Sequence, residues 1–198
     1  MKLKDKVIIV TGASQGLGEA LAYKVADEGA KVLLVARTEE KLKKITENIK
    51  KKNGQAEYFI CDVSKPSSIK ETLNIIFKSY KNVDILVNNA GVWTDDEIEQ
   101  KNPERRKIAF ETNALGSINF TSEVLPHFQK KNSGYIFNVI SSAGASDTPS
   151  GDNSLWKTYG ATKWAMTGFT KALIDSLKQT KIKVTAFHPG GFESNLYE

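Results

Sequence analysis

The sequence is poor in cysteine and histidine. Its 198 residues include a single cysteine, Cys61, and two histidines, His127 and His188. A single cysteine cannot form a disulfide bond within the chain, which is typical of proteins from a reducing compartment. The two histidines lie far apart and have no neighbouring cysteine or carboxylate pair, so a built-in zinc site is not expected. We therefore predict a cytoplasmic protein without a bound metal.

Long apolar runs are also missing. No stretch approaches the ~20 consecutive apolar residues that a transmembrane helix requires. Residues 1–6 have neither the apolar core nor the cleavage site of a secretory signal. Hydrophobic residues make up 40% of the chain and charged residues 26%, which is ordinary for a globular protein. We predict one domain over residues 1–198 and no membrane association.

The net charge of +5 comes largely from the lysine-rich segment 41–52. Leu42, Ile45 and Ile49 form an apolar stripe in this segment and the lysines occupy the other side, which predicts an amphipathic helix. Arginine and aromatic residues, which a nucleic-acid site would combine with lysine, are absent from it. A solvent-exposed helix face is therefore favoured over a nucleic-acid site, and its positive field could attract an anionic cofactor.

One early turn combines three glycines in the sequence Thr11-Gly12-Ala13-Ser14-Gln15-Gly16-Leu17-Gly18. The β-branched run Val7–Val10 before it predicts a buried strand, and Leu17, Leu21 and Val25 recur at helical spacing. A strand, a glycine turn and a helix in succession place backbone N–H groups and a helix N-terminus around a phosphate. We therefore predict a dinucleotide site that includes Gly12, Ser14, Gln15, Gly16, Leu17 and Gly18.

Strands and helices alternate along the rest of the chain. Short apolar runs predict the strands, and apolar residues at helical spacing predict the helices between them. This alternation predicts an α/β fold, a doubly wound parallel sheet of the Rossmann type with helices on both faces and a ligand site at the carboxyl ends of the strands. The predicted strands are Val7–Val10, Lys31–Ala36, Ala56–Ile60, Asp84–Val87, Tyr135–Ile140 and Lys183–Phe187, and the two longest helices run from Pro103 to near Pro126 and from Leu155 to about Lys178.

The end of the second predicted strand bears on cofactor choice. In dinucleotide-binding folds an acidic residue near this point bonds the ribose hydroxyls of NAD, whereas an arginine accommodates the additional phosphate of NADP. This chain has Ala36 and then Arg37 there, and a planar guanidinium can bind a phosphate through two hydrogen bonds. We predict that Arg37 binds the cofactor and that NADP(H) is preferred over NAD(H).

Tyr159 and Lys163 lie four residues apart on a predicted helix and therefore share a face. A free tyrosine has a pKa near ~10, and a nearby ammonium group favours the tyrosinate and lowers that pKa towards neutrality. Such a pair suits proton exchange with a hydroxyl or carbonyl oxygen. Because this spacing also arises by chance, the pair needs support from its surroundings.

Those surroundings resemble the short-chain dehydrogenase/reductase family from the first strand to the end of the chain. The motifs that carry the resemblance are the early glycine turn, Asn88-Asn89-Ala90-Gly91, Asn113-Ala114-Leu115-Gly116, the Ser141–Gly144 turn with Tyr159-Gly160-Ala161-Thr162-Lys163, and Pro189-Gly190. The resemblance implies hydride transfer between a nicotinamide cofactor and a small carbonyl or alcohol substrate, by homodimers or homotetramers that assemble through the two long helices. Trp93, Trp156 and Phe192 lie near the expected site and suggest an apolar pocket, although such aromatics are as often part of the core.

The resemblance also assigns roles to individual residues. Tyr159 would be the general acid or base, and Lys163 would tune Tyr159 and hold the nicotinamide ribose. Ser142, chosen over Ser141, would bond the substrate oxygen, and Asn113 would support a proton relay. The implied cofactor contacts are Tyr159, Lys163, the adenine-pocket pair Asp62 and Val63, the residues Asn89, Ala90 and Gly91 after strand four, and Pro189 and Gly190.

Three features depart from the family pattern. Gln15 stands where many NADP-using members carry a basic residue. The interval between Ser142 and Tyr159 is longer than usual, which predicts an extra loop over Gly144–Ser154. Family members continue beyond the point where this sequence stops, Glu198, so a shortened chain and a naturally open site are both compatible with it. The alternatives to an NADP(H)-dependent oxidoreductase are a non-catalytic NADP-binding regulator and an NAD-dependent alcohol dehydrogenase.

Overall fold

A computed structural model describes residues 3–94, 102–145 and 157–191 of the chain. Within these ranges the strands are β1 (Val7–Thr11), β2 (Lys31–Ala36), β3 (Gln55–Ile60), β4 (Ile85–Asn88), β5 (Gly134–Val139) and β6 (Ile182–Phe187). They form one parallel sheet in the order β3-β2-β1-β4-β5-β6. The strand order reverses between β1 and β4, and this arrangement confirms the predicted doubly wound α/β fold.

Six α-helices flank the sheet in the described ranges. They are α1 (Gly16–Asp27), α2 (Glu39–Lys51), α3 (Pro66–Ser79), α4 (Pro103–Phe110), α5 (Ser117–Lys130) and α6 (Lys157–Leu177). A π-helical turn, Glu111–Gly116, joins α4 to α5, and a 3₁₀ turn, Ser142–Gly144, follows β5. Among the described helices, none combines the length and the apolarity that a membrane span requires.

The sheet carries an apolar layer on each face. One layer contains Ile9 and Leu33 and packs against α3, α5 and α6. The other contains Ile8 and Val10 and packs against α1 and α2. Successive residues of a strand point to opposite faces, so a strand that is covered on both sides needs apolar residues at consecutive positions. This requirement explains the uninterrupted apolar run in β1.

The prediction that the long helix ends near Pro126 is wrong. The helical path continues from α4 through the π-helical turn into α5, which ends at Lys130. Proline disfavours a helix interior because it lacks an N–H group. The turn beyond Pro126, however, buries Phe128 completely, and this apolar burial stabilises the continued helix.

Several strand ends also shift by one residue from their predicted positions. Strand β4 runs from Ile85 to Asn88 rather than from Asp84 to Val87, because Asn88 still pairs with Asn138 of β5. Backbone pairing sets these ends, and a polar residue can take part in it. The predicted start of the last long helix at Leu155 and most of the predicted loop Gly144–Ser154 lie outside the described residues.

Two helical glycines offer a test of how closely α1 must approach β1. A Cβ atom added to Gly18 of α1 would lie 2.2 Å from the carbonyl oxygen of Gly12, whereas one added to Gly168 of α6 would meet no atom within 4 Å. Gly18→Ala should therefore lower the free energy of unfolding by about 1–3 kcal/mol through overpacking. Gly168→Ala, the matched control, should raise it by about 0.5–1 kcal/mol through helix propensity. Urea unfolding followed by circular dichroism measures both, and equal effects of the two changes would contradict the packing argument.

Candidate active site

A cleft of about 260 Å³ opens at the carboxyl ends of β1, β2, β4 and β5. The strand order reverses at this point, which is where doubly wound folds bind their ligands. Two predicted site residues, Gly18 and Asn113, do not line the cleft. The others do: Gly12, Ser14, Gln15, Gly16, Leu17, Arg37, Asp62, Val63, Asn89, Ala90, Gly91, Ser142, Tyr159, Lys163, Pro189 and Gly190.

The turn after β1 has the form that its glycines predict. Gly12 and Gly16 have φ angles of 66° and 57°, a region that glycine adopts without strain. The Gln15 side chain makes no capping hydrogen bond at the start of α1, so it satisfies none of the first N–H groups of that helix. A helix N-terminus of this kind beside a cleft suits an anionic diphosphate. The turn therefore fits the predicted dinucleotide.

Thr11 ties this turn to β4. Its Oγ1 donates a hydrogen bond to the carbonyl of Val87 (3.2 Å) and accepts from the N–H groups of Asn89 (3.0 Å) and Ala90 (3.1 Å). The amide of Asn89 returns hydrogen bonds to the carbonyl oxygens of Thr11 (3.0 Å) and Gly12 (3.3 Å). Thr11 is not among the predicted site residues. A hydroxyl residue at the end of an apolar strand is the signal that could have identified it.

Arg37 lines the part of the cleft that follows β2, and Ala36 before it provides no carboxylate. The guanidinium is exposed, and its charge lowers the pKa of the nearby Asp62 carboxyl. Partial burial would raise the pKa of the Asp62 carboxyl, but hydrogen bonds from Ser64 and the charges of Arg37 and Lys65 outweigh it, so this pKa lies below its ordinary value. Asp62 is therefore an ionised acceptor at neutral pH, and Ser64 Oγ already donates to it at 2.7 Å.

Tyr159 and Lys163 lie on the buried face of α6, where they are 6% and 4% exposed. The Nζ atom of Lys163 lies 5.4 Å from the centroid of the Tyr159 ring. Burial lowers the pKa of the Lys163 amino group to about 8, so most of it remains protonated at neutral pH. The structure thus places a cation beside the phenol at the wall of the cleft, as the spacing predicts.

Asn113 lies in the π-helical turn and is 1% exposed. Its Oδ1 accepts from the N–H of Val92 (2.7 Å), and its Nδ2 donates to the carbonyl of Val92 (2.9 Å) and to Thr162 Oγ1 (3.1 Å). The Thr162 hydroxyl in turn donates to the carbonyl of Tyr159 (2.7 Å). Asn113 therefore joins the chain after β4 to α6. Thr162 is not among the predicted residues, because a threonine within a helix has no distinguishing sequence signal.

Ser141 and Ser142 both line the cleft. The Ser141 hydroxyl accepts a hydrogen bond from the N–H of Ala143 (3.1 Å), so it caps the 3₁₀ turn. The N–H of Ser142 donates to the carbonyl of Pro189 (2.8 Å), which joins this turn to the segment after β6. The substrate contact of Ser142 stays a prediction.

Trp93 forms an apolar wall next to Tyr159. The two ring centroids are 4.6 Å apart with an interplanar angle of 44°, and Val92 and Trp93 both line the cleft. Such a wall suits a substrate that carries apolar groups beside its reacting carbon. Trp156 and Phe192, the other aromatics expected near this site, lie outside the described residues.

The cleft combines a glycine turn that suits an anion, an exposed guanidinium and a buried Tyr–Lys pair, and this set is typical of a nucleotide-dependent oxidoreductase of the Rossmann type. Within residues 3–94, 102–145 and 157–191, no group of three or more histidine, cysteine or acidic residues could hold a metal ion. The family model for short chain dehydrogenases matches residues 6–198. The chain belongs to the short-chain dehydrogenase/reductase family, as its motifs predict.

Individual proteins and solved structures are similar to this chain. An uncharacterised oxidoreductase of Staphylococcus epidermidis is 34% identical over 197 residues, which cover 100% of this chain and 82% of the relative. A variant of actinorhodin polyketide ketoreductase with NADPH matches with a TM-score of 0.89 at 31% identity, over 97% of this chain and 72% of that chain. A short chain dehydrogenase/reductase from Burkholderia phymatum in complex with NAD has a TM-score of 0.90 at 23% identity, over 99% of this chain and 69% of that chain. Since these two complexes hold different cofactors, the fold alone does not set the cofactor preference.

The buried Lys163 should make stability depend on pH. Its pKa of about 8 lies below the ordinary 10.5, so between these values the unfolded chain holds a proton that the folded chain has released. The free energy of unfolding should therefore rise with pH across this window, relative to Lys163→Met, by up to about 1.4 kcal/mol per pH unit. Urea titrations over this pH range, in a Tyr159→Phe background that removes the phenol, measure the difference. Parallel pH curves for the two proteins would contradict the burial argument.

Proposed function

We propose that this protein is a cytoplasmic NADP(H)-dependent reductase of ketones or aldehydes. The observation that carries the proposal is the Tyr159–Lys163 pair, which is buried at the wall of a cleft whose glycine turn suits a dinucleotide. Family membership supports oxidoreductase chemistry. The ketoreductase among the similar structures, whose complex holds NADPH, supports a carbonyl substrate.

In the proposed reaction, residues of this chain would bind and protonate the substrate oxygen. When bound, the nicotinamide supplies a hydride to the carbonyl carbon. Tyr159 would donate its phenolic proton to the carbonyl oxygen, which yields the alcohol and leaves a phenolate. Lys163, protonated below its pKa of about 8, would stabilise that phenolate through its charge. Ser142 would donate a hydrogen bond to the same oxygen and hold it near Tyr159.

Asn113 acts in this scheme as a positioning residue. Its side-chain hydrogen bonds go to Val92 and Thr162, and it does not line the cleft. Through Thr162 it supports the turn of α6 that carries Tyr159. The proton relay that the family resemblance implies for Asn113 stays a prediction beside this mechanical role.

NADP(H) is the proposed cofactor because the end of β2 offers a cation and no acid. Ala36 occupies the place of the acid that would bond the ribose hydroxyls of NAD, and Arg37 follows it at the cleft. The Asp62 carboxylate after β3 is already engaged by Ser64. A guanidinium that is exposed and next to the cleft suits a phosphate group.

Tyr159→Phe tests the catalytic role. The change removes the proton donor and keeps the ring that packs on Trp93, so NADPH should still bind while turnover of ketones falls by about a thousandfold or more. Fluorescence titration measures cofactor binding, and the absorbance of the reduced nicotinamide measures turnover. Turnover in the variant close to that of the wild-type protein would contradict the assignment. Tight NADPH binding without turnover of any ketone or aldehyde by the wild-type protein would favour the non-catalytic regulator.

We also propose a homodimer or homotetramer built on the outer faces of α4–α5 and α6. Ile108 of α4, Leu115 of the π-helical turn and Trp164 of α6 are 48%, 48% and 46% exposed. These elements pack against one another, so their apolar side chains lie on adjoining surfaces. Exposed large apolar residues on neighbouring elements are typical of an interface.

Trp164→Glu tests this interface. A buried tryptophan at the centre of an interface commonly contributes most of its affinity, so the variant should weaken self-association by about tenfold or more. Size-exclusion chromatography with light scattering over a range of protein concentrations measures the change. Ile75→Glu on α3, where Ile75 is 56% exposed, provides the control for a lost exposed apolar residue. Equal masses for the wild-type protein and both variants would contradict the proposed interface.

A further inference from the structure

A second cation lies beside the residues that line the cleft and belongs to α2. Lys41 lies in the first turn of this helix, and its ammonium donates a hydrogen bond to Gln15 Oε1 at 2.7 Å. Gln15 directly precedes Gly16 in the glycine turn and lines the cleft. The hydrogen bond therefore holds a positive charge beside the turn. Gln15 and Arg37 both line the cleft, whereas Lys41 itself does not.

Acidic side chains do not neutralise these two cations. Within the ranges 3–94, 102–145 and 157–191, no carboxylate forms an ion pair with Lys41 or Arg37. Asp62 is affected by the charge of Arg37 but lies beyond ion-pair distance of it. Glu39, at the start of α2, accepts a hydrogen bond from the hydroxyl of Tyr58 on β3 (3.1 Å). Both cations are thus available to an anionic ligand.

A phosphate monoester is the chemical group that this arrangement suits. An arginine offers a planar fork of donors, and a lysine offers a compact charge with three donors. Gln15 is uncharged and accepts the hydrogen bond of Lys41 through its amide oxygen, so it can hold the ammonium without neutralising it. Lys41 is exposed, and its ammonium has three donors, so it can keep the hydrogen bond to Gln15 and also donate to a bound phosphate.

We propose that Lys41 is a specificity-determining residue that binds the 2′-phosphate of NADP(H) together with Arg37, and that Gln15 positions its ammonium. This inference rests on the proposed preference for NADP(H). NAD(H) carries a hydroxyl at the same ribose position, so an ammonium placed there favours the phosphorylated cofactor. The second positive charge at this site therefore comes from α2, and the glycine turn supplies only its anchor.

Calorimetric titration with adenosine 2′,5′-diphosphate and adenosine 5′-monophosphate tests the proposal without turnover. The two probes differ only in the 2′-phosphate. The dissociation constant of the monophosphate divided by that of the diphosphate therefore reports on that group. Lys41→Met removes the charge and keeps an unbranched side chain, and it should weaken diphosphate binding about fivefold to tenfold while monophosphate binding changes less than about twofold. Lys43→Met removes the same charge from a position about 200° around the helix axis. This matched control should leave the ratio unchanged.

A charge relocation gives a second readout. The double variant Gln15→Lys with Lys41→Met places the ammonium on the glycine turn itself, so it should recover the preference that Lys41→Met loses. An unchanged ratio in Lys41→Met, with a lowered ratio in Arg37→Met, would overturn the role of Lys41 and leave the NADP(H) preference standing. Equal losses in Lys41→Met and Lys43→Met would also overturn it, because they would indicate only the general field of the helix. Equal affinity of the wild-type protein for both probes would overturn the cofactor preference and this inference together.

Discussion

The close approach of the glycine turn to the end of β4 is the constraint on which the cleft depends. A Cβ atom on Gly12 would lie 2.7 Å from Ala90 Cα, so no larger residue fits between the two segments. Thr11 and Asn89 then fix the approach with hydrogen bonds in both directions. Because β1 and β4 are neighbours at the point where the strand order reverses, this contact forms the floor of the cleft, and the helices on either side form its walls.

The second half of the site depends on a buried polar network instead of close packing. Asn113, Thr162 and the carbonyl of Tyr159 form a chain of hydrogen bonds that joins the π-helical turn to α6. A buried network of this kind holds one geometry when its members are satisfied. Burial in this region also lowers the pKa of Lys163. The charged form of Lys163, which the proposed chemistry uses, therefore lowers the stability of the folded protein. Stability is thus traded for function at this point.

Much of the fold and the cofactor half of the site could be predicted from the sequence because their signals are local. The strands that are covered on both faces read as continuous apolar runs, and the glycine turn lies between a strand and a helix that identify it. The contributions of Thr162 and Lys41 could not be predicted. In the sequence, Lys41 is one of many lysines in segment 41–52. Only the packing of α2 brings its ammonium to Gln15. The end of the helix beyond Pro126 could not be predicted either, because tertiary burial of Phe128 outweighs the local effect of proline.

By itself, the sequence determined the α/β class, the family, the glycine turn and the pairing of Tyr159 with Lys163. Each of these follows from the spacing of residues along a strand, a turn or a helix, where the backbone fixes distances over a few residues. The tertiary structure decided which side chains line the cleft, that Asn113 lies behind it, and that Lys163 is buried. It also decided which of many lysines approaches the cofactor side. These properties depend on contacts between segments far apart in the chain, and such contacts form only when apolar burial brings the layers of the fold together.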